Sequence, residues 1–152
     1  MPTETFSAAL APKAVVGLGN PDRTDDGVGV AVVLGLSPRP GVEILTAVKT
    51  GMDLAMALLP YARALLVDAA PFLPPGEVAL FPLQAREARG FPHGADLAQA
   101  LGWLAALGAR VPEVWVLAVG VPQEPGFGRN LSPQVQDAIP LARKVVERWL
   151  AS

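Results

Sequence analysis

The sequence predicts an α/β protein of three layers, built on a twisted, mostly parallel five-stranded sheet with one antiparallel strand and helices on both faces. Three observations lead there. Short apolar runs of strand type alternate with segments whose apolar residues recur at helical spacing. The runs are nearly continuous in apolar residues, as in strands covered on both sides. One pair of runs is joined by Pro71-Phe72-Leu73-Pro74-Pro75-Gly76, a link too short for a helical crossover, so the second run must return antiparallel.

Taken in order, residues 1–12 read as a flexible tail and 13–152 as a single domain. Lys13–Gly19 is the first strand, broken by Gly17-Leu18-Gly19-Asn20-Pro21. Asp25 or Asp26 is placed to cap the apolar helix that runs to about Leu36, which should lie buried against the sheet. Val42–Val48 is the second strand and Gly51–Leu59 a short helix stopped near Pro60. Ala62–Ala69 is the third strand, and Val78–Leu83 should come back antiparallel to it. Gln84–Pro92 is an irregular connection. Gly94–Gly108 carries Leu97, Leu101, Leu104 and Leu107 at helical spacing. Glu113–Val119 is the fifth strand, with Trp115 as a packing residue. After the loop Gly120–Asn130, Ser132-Pro133 caps a last helix that Pro140 should bend.

Composition removes several classes of function. The 152 residues are 51% hydrophobic and 17% charged, with a formal net charge of −2 and no basic stripe, which argues against nucleic acid and anionic membrane surfaces as partners. The absence of cysteine removes thiolate ligands and a thiol nucleophile. The amino terminus lacks a basic n-region, and no run approaches the roughly eighteen apolar residues of a membrane span, so a cytoplasmic protein is expected. Serines occur only at positions 7, 37, 132 and 152, none in a nucleophile elbow. The glycines of the opening turn lack the GxGxxG spacing, and Asp22 would repel a pyrophosphate, so their role is conformational.

Chemistry is left to carboxylates and to the only histidine. Asp26 lies just past the first strand and Asp68 ends the third, so parallel strands would bring both acids to one sheet edge. Taken singly, each has a structural alternative: a helix cap for Asp25 or Asp26, a satisfied turn for Asp68. Asp68 is the stronger candidate, because an acid directly after Leu-Leu-Val lies near the core and needs a partner or a cation. His93 sits in the loop before the third helix, where a surface role is the ordinary reading. Two carboxylates and an imidazole would suit a borderline divalent metal such as nickel or zinc.

The pattern GLGN-x4-DDGVGV, then LLVDA, FPHGADL and GVPQE…LSPQV, resembles the hydrogenase maturation endopeptidases, which trim the carboxyl-terminal tail of the large subunit of nickel-iron hydrogenases. The resemblance runs from about Lys13 to Leu150. It implies an aspartic-type endopeptidase whose metal-contacting residues are Asp26, Asp68 and His93, any catalysis passing through the metal they bind. Members often carry Glu at the first of these positions, so Asp26 reaches one methylene less far. The implied partner is a hydrogenase large-subunit precursor, and the implied cofactor is nickel carried by that substrate, for which cadmium or zinc could substitute. One segment departs from the family pattern: Thr46-Ala47-Val48-Lys49 stands where many members have Asp-Gly-Gly-Thr, which leaves open a member that serves another partner or does not cut. A second resemblance, of Val16–Pro21 to the opening of bacterial peptidyl-tRNA hydrolases, implies an esterase. There a histidine follows about ten residues on, and here the stretch is Thr24-Asp25-Asp26-Gly27.

Overall fold

The computed structural model describes residues 12–20, 22–47, 50–83, 92–123 and 130–152; the side chains of Pro92 and His93 lie outside the described set. Outside it too fall residues 1–11 of the expected tail, the 84–91 part of the irregular connection, residues 124–129 of the late loop, and Val48 and Lys49 of the departing segment.

Strand β1 is Lys13–Leu18, and a 3₁₀ turn over Thr24–Gly27 leads into helix α1, Val28–Leu34. There follow β2 (Val42–Ala47), α2 (Gly51–Leu58), β3 (Arg63–Ala70), β4 (Val78–Pro82), α3 (Pro92–Ala106), β5 (Glu113–Gly120) and α4 (Pro133–Ala151). The sheet order is β2-β1-β3-β5-β4, with every pairing parallel except β4 against β5.

Side chains of one strand alternate between faces, and both faces of the central strands are buried. Val16, Leu66 and Val116 join Leu54, Leu58, Leu97 and Leu101 of α2 and α3 in one apolar layer. Val15, Leu65 and Leu117 join Val28, Val32, Ile139 and Val146 of α1 and α4 in the other. This is the three-layer arrangement that continuous apolar runs require. Helix α1 is buried as its composition predicts, apart from a half-buried Ala31 and an exposed Leu34 at its end.

Both ends of α4 meet charge of the sign its macrodipole favours. The Asp25 carboxylate accepts from the Ser132 N–H at its amino end, and Lys13 Nζ donates to Leu150 O at its carboxyl end, at 2.8 Å. From mid-helix Arg143 donates to the carbonyls of Ala31 and Val32, closing the last turn of α1.

Five expectations are corrected. Strand β4 runs opposite to β3, but its hydrogen-bonded neighbour is β5, which inserts between them; the short link fixes direction and leaves the partner to long-range packing. Neither Asp25 nor Asp26 caps α1, because the 3₁₀ turn intervenes and Gly27 stands at the cap. Ser132 at the cap of α4 makes no capping bond to its own helix, its hydroxyl being donated elsewhere. Helix α3 begins at Pro92, where a fixed φ and a missing N–H cost nothing, so the backbone of His93 is in the first helical turn rather than in a loop. The same helix ends at Ala106, so Leu107 falls in the following turn and is 84% exposed. Helix α4 continues through Pro140 from Pro133 to Ala151.

Candidate active site

The strand order changes direction between β1 and β3: from β1 the chain moves to β2 on one side, then crosses back to β3 on the other. In open α/β sheets the crevice outside the carboxyl ends of such a pair is where ligands bind. Gly17 stands opposite Val67 in the parallel register, so β3 delivers Asp68 one residue beyond the last β1 pair. The 3₁₀ turn bearing Asp25 and Asp26 packs against β3 at the same edge.

Glycines make this close approach possible. A Cβ on Gly29 would lie 2.1 Å from the Val67 carbonyl oxygen and 2.7 Å from that of Leu18, so the first turn of α1 rests directly on the backbones of β1 and β3. Gly19 has φ +121° and a Cβ there would fall 2.0 Å from the Asp26 carbonyl oxygen; only glycine fits both demands. For Gly19 this is the conformational role read from the sequence.

Asn20 organises the turn. Its Oδ1 accepts from Asp22 N–H at 2.9 Å, its carbonyl accepts from Arg23 N–H at 3.1 Å, and its own N–H donates to Asp26 Oδ2 at 2.8 Å. Thr24 then takes φ +44°, a left-handed conformation unusual for a β-branched residue. Such strain costs of order 1–3 kcal/mol and persists only where neighbours hold it.

The two adjacent aspartates are used differently. Asp25 is buried at 4% exposure, and both its oxygens are engaged by Ser132: Oδ1 by the N–H at 2.7 Å, Oδ2 by the hydroxyl at 2.6 Å. Charge-assisted bonds of this kind contribute about 1.5–3 kcal/mol each, enough to offset the strain at Thr24. Asp26 is half-buried and bonds through Oδ2 to the turn. Asp68 is 1% exposed, and its Oδ1 accepts from the Ala69 N–H at 2.7 Å. A carboxylate so deep needs compensation by hydrogen bonds, a counter-charge or a cation.

The edge thus carries Asp26 and Asp68, two of the three sequence-predicted metal ligands. The imidazole of His93 lies outside the described residues, and among those residues no three His, Cys, Asp or Glu side chains gather closely enough to hold a metal ion. The oxygen donors present suit a hard or borderline divalent ion, and an imidazole would favour nickel or zinc. Sequence reading missed the Asp25–Ser132 pair, whose members stand 107 residues apart and which no local spacing could reveal.

Two of the grooves among the described residues flank the sheet. One of about 670 Å³ runs along the α4 face of β4 and β5 to the amino end of β3, lined by Arg63, Val78, Leu80, Trp115, Arg148 and Trp149. It is the larger of the two, but no Asp or Glu side chain lines it and it holds none of the candidate residues. The other, about 330 Å³, is lined by Pro71–Pro75 and Val121–Gln123 and opens where β3 and β5 end, on the Asp68 edge. Chemistry rather than size decides which edge is the site.

Comparison with known proteins gives the family. A sequence profile described as HycI, hydrogenase maturation protease, matches residues 35–149, well over half of the chain. The fold is similar to that of the hydrogenase maturating endopeptidase HybD from Escherichia coli, at 25% identity over 92% of both chains with a TM-score of 0.78. It is also similar to the NiFe hydrogenase maturation protease HybD from Thermococcus kodakarensis, at 23% identity over 91% of this chain and 98% of that one, TM-score 0.68. The endopeptidase HycI from Escherichia coli is similar in fold at 23% identity, over 91% and 90% of the two chains, TM-score 0.69. No curated protein sequence matches the chain. The chain therefore belongs to the hydrogenase maturation protease family and is a peptidase.

Proposed function

We propose that the chain removes the carboxyl-terminal extension of a nickel-loaded hydrogenase large-subunit precursor by hydrolysing one peptide bond. The observation that carries this reading is the delivery of Asp26 and Asp68 to a single sheet edge by the parallel pairing of β1 and β3. Asp26, Asp68 and His93 would contact the nickel that the substrate brings. Nickel in the precursor supplies Lewis acidity beside the scissile carbonyl. The chain's own share is to bind and orient: Asp26 is fixed through the Asn20 turn, Asp68 by β3, and the groove beside Pro71–Pro75 offers apolar walls to the tail.

The acids at this edge oppose an RNA ligand, and the family match does not favour a peptidyl-tRNA esterase. Among the described residues no helix is long and apolar enough to cross a membrane. Incubating the purified protein with nickel-loaded and nickel-free precursor, and weighing the products, tests the reading. A single shorter large subunit from the nickel-loaded form alone is expected. Failure to shorten either form, or equal cleavage of both, would overturn it.

A further inference from the structure

Asp25 and Asp26 are chemically identical neighbours with opposite fates. Asp26 turns back to the Asn20 N–H at the sheet edge, while Asp25 turns inward and hands both carboxylate oxygens to Ser132 at the start of α4. Between the Asn20 turn and Asp25 stands Thr24 at φ +44°. A β-branched residue there relaxes unless the chain is held on both sides. On its amino side the holding is done by Asn20, through Asp22 and Arg23. On its carboxyl side the Asp26 N–H donates to Arg23 O at 3.1 Å, and the Asp25 carboxylate ties the turn to α4. Ser132 is a firm anchor because α4 is itself packed through Val135, Ile139 and Val146 against α1 and the sheet. The Ser132 hydroxyl makes no cap for its own helix, so its donation to Asp25 is its structural task.

We infer that Asp25 is a positioning residue: through Ser132 it locks the opening turn to the amino end of α4 and so sets where the Asp26 carboxylate meets a divalent cation, touching no cation itself. The inference rests on the proposed role of Asp26. It extends the site from the turn and β3 to a third element, α4.

The test uses the full chain with cadmium as probe, in titration calorimetry, together with the amide proton resonance of Asn20 in cation-free protein. Ser132→Ala removes one partner of Asp25 without altering any acid, and Asp25→Asn keeps size and an acceptor. Ser132→Ala is expected to weaken cadmium binding about tenfold, as loss of an outer support of a metal ligand does. Asp25→Ala should weaken it at least as much, and the Asp25→Ala, Ser132→Ala double variant no more than Asp25→Ala alone. In each, the Asn20 amide proton, held downfield by the Asp26 carboxylate, should move upfield. Trp149→Phe, at the far end of α4, should leave both readouts unchanged. Folded Ser132→Ala and Asp25→Asn proteins with wild-type Asn20 resonance would overturn the inference. If the wild type binds no cadmium, the proposed metal edge fails, and the Asn20 resonance still decides whether Asp25 positions the turn.

Discussion

Replacing Gly29 by alanine adds one methyl group to the first turn of α1, at a point where that turn lies on the two central strands. The added carbon would be 2.1 Å from the Val67 oxygen and 2.7 Å from the Leu18 oxygen, both backbone atoms of a hydrogen-bonded sheet that cannot rotate aside. Helix α1 must instead retreat by roughly 1 Å, loosening Val28, Val32 and Val33 in the core; overpacking of this kind costs about 3 kcal/mol at the upper end of its usual range. The gain in helix propensity returns about 1 kcal/mol, leaving a net loss near 2 kcal/mol. For a chain of this size that lowers the melting temperature by roughly 4–8 °C. Gly102→Ala is the control. It makes the same chemical change inside α3, where nothing lies within 4 Å of the added carbon, and should stabilise by about 0.5–1 kcal/mol. Urea unfolding with equal m-values measures both. A Gly29→Ala protein as stable as the wild type, or a Gly102→Ala protein destabilised to the same degree, would refute the claim that bare backbone contact seats α1 on the sheet.

Asp68→Asn keeps the shape of a buried side chain and removes its charge; it is expected to leave a folded protein, by circular dichroism, that no longer shortens precursor. Tyr61 is the only tyrosine in the chain, and burial first, then the neighbouring Glu43 carboxylate and its hydrogen bond, raise its phenol above the ordinary value of 10.0. The folded state therefore keeps its proton where the unfolded chain has begun to lose it, so this contribution to stability is complete below pH 10 and declines as pH rises through the folded value. An ultraviolet titration should show the Glu43→Gln variant ionising at lower pH than the wild type while still above the ordinary value, and Tyr61→Phe should lose less stability on the alkaline side.

The strands were legible because their burial is two-sided: Leu-Leu-Val-Asp-Ala and Val-Trp-Val-Leu-Ala-Val can form little else in a chain with so many short apolar runs. The direction of β4 followed from the length of its link, whereas its neighbour depended on where β5, written later in the chain, would insert. Apolar spacing alone carried α3 as far as Leu107. The helix stops sooner because Gly108, at φ +93°, turns the chain so that Ala109 N–H bonds back to Leu104 O. At the site, the placing of Asp26 and Asp68 at one sheet edge followed from parallel strands. Which of two adjacent aspartates faces inward was not, since it is decided by a 3₁₀ turn, a strained Thr24 and a serine 107 residues away.

The proposed function requires Asp26, Asp68 and His93 to share one cation at the edge between β1 and β3. Anomalous diffraction from a crystal of the protein grown with cadmium tests it directly. One strong peak bonded by both carboxylates and the imidazole of His93 is expected; a peak that leaves out Asp68 and His93, or cadmium bound only elsewhere on the surface, would contradict a shared site.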